Sequence, residues 1–207
     1  NSPNGIPVLT GLERATPSMD DLKALCAAFG TTSAAPMLHV RGHTPEGHLP
    51  LPDNAPLFSV STADLLPVWT GFNAAPGAVD LVAIGSPHAS AAECREFAAH
   101  LETAGDKVCI DTIVTLGRNV FERIRAEGIA ESLQNSGVRL IADLCWCSIT
   151  EPVFPPTAKV LMTNSGKYAH YANGLSGRDV RFASLADCAK TATTGLAKST
   201  PPDWLTP

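Results

Sequence analysis

"AVDLVAIGSPHASAAECREFAAHLETAG", residues 78–105, decides the fold. Residues 78–86 are an apolar run of strand length, and residues 90–105 follow as a helix closed by Gly105. The alternation continues downstream. "KVCIDTIVTL" (107–116) reads as a strand and "NVFERIRAEG" (119–128) as a helix. "VRLIADLC" (138–145) and "AKVLMTNS" (158–165) are further strands, and "DVRFAS" (179–184) leads into the helix "LADCAKTATTG" (185–195). Strands alternating with helices predict an α/β fold, layered α/β/α with a mostly parallel sheet.

Upstream the pattern is less regular. A helix starts after Thr16 or Ser18, with Pro17 in its first turn and Leu22, Leu25 and Phe29 at helical spacing before Gly30. "APMLHVRG" (35–42) reads as a strand, and residues 43–57, with four prolines and two histidines, as a long irregular connection. A short helix is expected near 61–70. The domain expectation is a joining segment over 1–60 and an α/β domain over 61–207.

Composition bounds the function. The chain is 44% hydrophobic and 17% charged, which suits a globular domain, and its net charge of −5 disfavours a nucleic-acid surface. No apolar run is long enough to span a bilayer, so no membrane association is expected. "NSPNGIPVLTGL" (1–12) lacks the basic and apolar regions of a signal peptide, and the start without Met suits a fragment or a processed chain. Six cysteines are too sparse for a disulfide scaffold. Those at 26, 94, 109, 145 and 188 lie in or beside apolar segments, as core fillers or metal ligands would in a reducing compartment, by default the cytoplasm.

In open parallel sheets, ligands bind beyond the carboxyl ends of the strands. Three predicted strand ends carry the chemistry. "GSPHAS" (85–90) is expected to turn from strand to helix, with Ser86 and His88 near the helix N-terminus or Ser86 or Ser90 simply capping it. "MTNSGKYAHY" (162–171) places Asn164, Ser165, Lys167, His170 and Tyr171 within eight residues. On a helix there, Lys167 neighbours His170 at i,i+3 and Tyr171 at i,i+4. Lysine offers a compact charge for a carboxylate or phosphate, and histidine and tyrosine can relay protons. In "DLCWCS" (143–148), an extended chain puts both thiols on one face and Trp146 on the other, whereas a turn leaves one facing the site. A metal pair and two core thiols both remain open; a Cys145–Cys147 disulfide would close a very small, strained ring.

"MTNSGKYAHY", with "GSPH", "HVRGHTPEG" (39–47) and the opening "PVLTGL" (7–12), resembles aconitase X, the divergent branch of the aconitase superfamily. These segments span nearly the whole chain in the family's order. The resemblance implies aconitase-like α/β domains and a hydro-lyase that removes water from a small hydroxylated acid. Cis-3-hydroxy-L-proline, giving Δ1-pyrroline-2-carboxylate, is the substrate expected; mevalonate 5-phosphate, or a non-catalytic iron-binding module, is the alternative. Neither GxGxxG after a strand nor a P-loop is present, so a nucleotide-binding enzyme ranks last.

The resemblance further implies iron as Lewis acid, as an iron–sulfur cluster (2Fe-2S) or a mononuclear ion, with Cys145 as the best ligand and Cys147 as the second candidate. It makes His88, Lys167 and His170 the catalytic candidates. Ser86, Thr44, Asn164, Ser165 and Lys167 are the substrate-binding ones, Thr44 through the "TPE" loop, where His43 and His48 also lie. Ser86 departs from the many relatives that carry cysteine in this tetrapeptide. The chain resembles the C-terminal half of the family's large catalytic region. The remaining half and a small swivelling domain, fused or separate, are therefore expected partners beside the small anionic substrate, and this stretch alone is expected to be inactive.

Overall fold

The computed structural model describes residues 5–105 and 107–206. Residues 1–4, Asp106 and Pro207 lie outside them, and with them the first residues of the opening stretch and the last proline of the tail. The chain divides into two units, one ending at Ser61 and the other beginning at Thr62.

In the second unit, five parallel strands form one sheet in the order β5-β4-β3-β6-β7. The strands are β3 (Leu81–Ala89), β4 (Asp111–Leu116), β5 (Arg139–Ala142), β6 (Val160–Thr163) and β7 (Asp179–Phe182). Successive side chains on a strand point to opposite faces, and the two cores follow that period. Val82, Ile84, Val114, Leu116, Val160 and Met162 enter one core; Leu81, Ala83, Ile113 and Leu161 enter the other. This two-sided burial explains the unbroken apolar runs in the sequence.

The first core is covered by α3 (Ala91–Ala104), α4 (Arg118–Ala126), α5 (Ile129–Asn135) and α7 (Leu185–Thr194), through residues such as Phe97, Leu101, Ile124, Leu133 and Cys188. Ser90 starts α3 with a capping box to Glu93, and Gly105 ends it. The second core is covered by α6 (Gly166–Ser176) and by an irregular stretch carrying Trp146, Phe154 and Ala158. The predicted α/β/α layering with a parallel sheet is therefore what forms. Preceding the sheet, α2 (Thr62–Phe72) carries Pro67 in its interior.

Several local expectations change. "GSPH" is not a turn: β3 runs through it to Ala89, with a register shift against β4 between Ile84 and Ala89. Gly85 makes this possible, because its φ is +101° and a Cβ there would lie 2.0 Å from the Thr115 carbonyl oxygen. Ser86 therefore sits in a strand, and Ser90 alone caps the helix. The helix expected over 119–128 is α4, closed at Gly128 in a left-handed conformation, after which the unexpected α5 begins. Of the cysteines read as apolar-segment thiols, Cys94 and Cys188 are buried, but Cys26 and Cys109 are exposed and fill no core. None of the six forms a disulfide.

The first unit contains α1 (Met19–Thr32), capped by Ser18 in a capping box with Asp21 and running past Gly30. The strand expected over 35–42 shrinks to β2 (His39–Val40), which pairs in parallel with an unforeseen β1 (Val8–Leu9). A single 3-10 turn, Pro45–His48, interrupts the irregular connection. No helix among the described residues is long and apolar enough to cross a membrane.

Candidate active site

The strand order makes the site. The chain enters the sheet at β3, builds outward through β4 and β5, then returns to place β6 on the other side of β3. At that reversal the helix after β3 packs on the first core and the helix after β6 on the second, which makes the carboxyl ends of β3 and β6 the place where parallel sheets commonly form a ligand crevice. Ser86 lies at the β3 side of it, 2% exposed, and its hydroxyl has no hydrogen-bond partner. A buried polar group without a partner costs about 1–3 kcal/mol, so such a group at a crevice points to a ligand.

Across the crevice, the Ser165 hydroxyl does two things. It accepts a hydrogen bond from the Tyr168 amide at 3.0 Å, capping α6, and it donates to the Ser86 carbonyl. One side chain thus starts the helix and ties the end of β6 to the end of β3. Ser165→Ala is expected to destabilise the chain by about 1–2 kcal/mol, measurable by urea unfolding. Asn164, just before it, is half-buried, and so is Lys167 in the first turn of α6.

The thiol segment folds as a turn rather than an extended strand. After β5 comes a 3-10 turn over Trp146–Ser148, closed by the Ser148 amide donating to the Cys145 carbonyl at 2.9 Å. Trp146 drives this geometry. Its ring is buried against Tyr168 (centroids 5.2 Å apart) and Phe154 (6.3 Å), and its Nε1–H donates to the Ile84 carbonyl at 2.7 Å. Arg178 secures the neighbouring loop: its guanidinium lies 5.2 Å from the Phe154 ring centre, and Nε donates to the Ala158 carbonyl at 2.9 Å. On the other flank, His88 Nε2 is 2.8 Å from the Leu144 carbonyl oxygen. The indole and the imidazole thus pull the turn over the end of β3.

Cys145 and Cys147 are half-buried and interact electrostatically. Burial pushes the Cys147 thiol up, the neighbouring Cys145 adds to this, and the Lys167 cation opposes it. Lys167 is therefore within electrostatic reach of the thiol turn. Burial also raises the Tyr168 phenol strongly, with both thiols contributing. For Cys147 the net direction is upward, since burial is the largest cause. Its alkylation by iodoacetamide is expected to rise at a higher pH than that of a cysteine peptide; coincident profiles would contradict this.

The structure thus brings Ser86, His88, Asn164, Ser165, Lys167, Cys145 and Cys147 to the carboxyl edge of one sheet. His170 is placed differently, exposed on α6 with its ring edge-on to Tyr171 (5.5 Å). Thr44 belongs to the first unit, where its hydroxyl accepts from the Val40 amide at 3.0 Å. His43 and His48 face the Leu12 and Pro45 carbonyls. Sequence reasoning overlooked the anchoring by Trp146, for which the only signal was a large aromatic wedged between two cysteines. Two converging thiols are soft donors that fit iron as part of a ligand set. Among the described residues no group of three His, Cys, Asp or Glu could hold a metal ion, so further ligands would have to come from elsewhere.

Comparison with known proteins gives a consistent result. Residues 1–70 match the aconitase X second domain and residues 79–194 its third domain. The chain is 42% identical, over 97% of its length, to the cis-3-hydroxy-L-proline dehydratase of Pseudomonas aeruginosa, of which it covers 36%. It is 38% identical, again over 97%, to the enzyme of the same name from Hypocrea jecorina, covering 35% of it. The crystal structure of Thermococcus kodakaraensis aconitase X (holo-form) superposes with a TM-score of 0.81 at 30% identity, over 91% of this chain and 47% of that one. The chain spans about a third of the length of these two curated relatives. By its sequence over both units and its fold, it belongs to the aconitase X family.

Proposed function

We propose that this chain supplies the strand-end part of the active site of a hydro-lyase that dehydrates cis-3-hydroxy-L-proline to Δ1-pyrroline-2-carboxylate. The observation that carries the reading is the buried, unpartnered Ser86 hydroxyl at the β3–β6 crevice, in a chain similar along 97% of its length to dehydratases of that substrate. The rest of the catalytic region and a small swivelling domain complete the assembly, fused or as another chain. Six cysteines without a disulfide suit a reducing compartment, and we propose the cytoplasm.

The reaction breaks the Cα–H bond, whose electron pair forms a Cα=Cβ double bond as the Cβ–O bond breaks. Proton and hydroxide leave as water, and the resulting enamine tautomerises to the cyclic imine. Lys167 would hold the substrate carboxylate and the charge that builds on it as the α-proton leaves. Ser86 would hydrogen-bond the substrate from the end of β3, beside Asn164 and Ser165; within the first unit, Thr44 is a substrate-binding candidate by family likeness. A base from outside this chain would take the α-proton, and His88 or His170 would carry a proton to the departing hydroxyl. Cys145, with Cys147 as second candidate, would hold iron, as a 2Fe-2S cluster or a mononuclear ion completed by outside ligands, which when bound supplies Lewis acidity for the poor leaving group.

The test is an assay of the complete, anaerobically purified protein on cis-3-hydroxy-L-proline and mevalonate 5-phosphate, with iron and sulfide counts. Dehydration of the hydroxyproline is expected. Turnover of mevalonate 5-phosphate alone would overturn the substrate, and an active iron-free protein would overturn the cofactor.

A further inference from the structure

We infer that Asp143 and Arg118 form a positioning pair that holds the entry of the thiol turn, and with it Cys145, in place for a metal. Asp143 stands where β5 ends and that turn begins. It is the only non-glycine residue with positive φ (+60°) among the described residues. Its amide still belongs to the sheet, donating to the Leu116 carbonyl at 2.9 Å, and its left-handed backbone then redirects the chain. Aspartate tolerates that conformation better than most residues, but it is disfavoured relative to ordinary backbone. Such a conformation persists where its surroundings over-determine it.

The surroundings here are the end of β4. One carboxylate oxygen of Asp143 accepts from the Arg118 amide at 2.8 Å. The other accepts from Arg118 Nε at 2.9 Å and lies 2.9 Å from Nη2. Arg118 is the first residue of α4, whose N-cap Gly117 supplies no side-chain hydrogen bond. Asp143 therefore satisfies an orphan amide of that helix from a distant point in the chain. Leu116 and Arg118, on either side of Gly117, grip Asp143 by its amide and by both carboxylate oxygens.

Cys145 lies two residues beyond this grip. With consecutive Cα atoms about 3.8 Å apart, a rotation of about 15° at Asp143 would carry the Cys145 Cα by about 1–2 Å. A ligand constellation tolerates only about 0.5 Å. Trp146 anchors the far side of Cys145 through the Ile84 carbonyl, and Asp143 anchors the near side. The Arg118 side chain is 80% exposed, and exposed ion pairs add little to overall stability. The ion pair therefore acts on the turn rather than on global unfolding. It touches no reacting atom and works through Cys145. The metal role rests on the dehydratase reading, whereas the hold on the turn does not.

The test uses the complete protein, reduced and metal-free, with cobalt(II) alone as the metal probe. Hydrogen exchange of peptides covering residues 143–149, read by mass spectrometry, reports the turn, in which the Ser148 amide donates to the Cys145 carbonyl. Thiolate-to-cobalt charge-transfer absorption, assigned with Cys145→Ser, reports metal held by that thiol. The wild type is expected to show a protected turn and this absorption. Asp143→Gly keeps access to positive φ but loses the clamp. Its turn should exchange about tenfold faster or more, and its cobalt affinity should fall about 10–100-fold. Asp143→Asn tolerates positive φ and keeps an oxygen for the Arg118 amide, so it should recover part of both. Arg118→Gln should move both readouts the same way by a smaller amount, with little change in urea unfolding. Wild-type exchange in a folded Asp143→Gly or Arg118→Gln protein, or faster exchange with unchanged cobalt affinity, would overturn the proposal. If Asp143→Gly fails to fold, Arg118→Gln alone decides. A wild type without the Cys145-dependent absorption would instead remove Cys145 as a ligand, and the pair's metal role with it.

Discussion

Trp146→Ala is expected to destabilise the chain by about 3–5 kcal/mol, the range for removing a large aromatic from a packed interior. Trp146 is 1% exposed, the largest of the fully buried side chains, and belongs to the second core with Tyr168, Phe154, Leu81 and Leu161. Truncation leaves a cavity between α6 and the sheet, strips the Ile84 carbonyl of its 2.7 Å donor, and frees the turn that carries both thiols. Equilibrium urea unfolding measures the loss. Trp146→Phe retains much of the packing but not the N–H and should cost about 1–3 kcal/mol, chiefly from the carbonyl it abandons. The alanine variant should also alkylate faster at Cys145 and Cys147, because the turn no longer packs. A loss below about 1 kcal/mol would mean that the indole does not hold the turn in solution.

Lys167→Ala should have the largest effect on catalysis. If the side chain stabilises charge that builds on the substrate carboxylate, kcat of the complete protein falls by about 10²–10³-fold, the typical loss for one such group. Lys167 is half-buried and lies in neither apolar core, so unfolding by urea should change little. This separates a catalytic loss from a folding loss. Lys167→Arg preserves the charge but spreads it over a planar fork and should recover activity only in part. In the metal-free chain the alanine variant should also raise the Cys147 thiol further, since the cation that opposes the upward shift is gone. Activity within threefold of wild type would remove Lys167 from the site.

The alternation of apolar runs and helix signals was enough to read the layers, because strands buried on both faces keep apolar stretches such as residues 81–84, 113–114 and 160–162, even though Ser86, Thr112, Thr115 and Thr163 are buried among them. Strand ends were less legible. The "GSPH" tetrapeptide has the composition of a turn, yet Gly85 lets β3 pass within contact of Thr115 and continue. The first unit was read least well, since β1 and β2 are two residues each and stand on pairing rather than on apolar pattern. Cys26 and Cys109 show the limit of reading burial from apolar neighbours: segment composition does not say which side of a helix or strand a thiol occupies.

The candidate site divides along the same line. Residue chemistry was visible in sequence: a lysine, a histidine, serines and two thiols at three strand ends, in the order of a known family. Their assembly was not, because contacts such as Ser165 to Ser86, Trp146 to Ile84 and His88 to Leu144 each join residues more than fifty positions apart. Such contacts depend on strand order, and periodicity carries no information about which strand lies beside which. The sequence by itself determined the fold class, the family likeness and the groups available. Only the tertiary structure set β3 beside β6, folded the thiol segment into a turn around the buried Trp146, and left the Ser86 hydroxyl without a partner. Local chemistry is written residue by residue, whereas proximity is a property of the packed sheet.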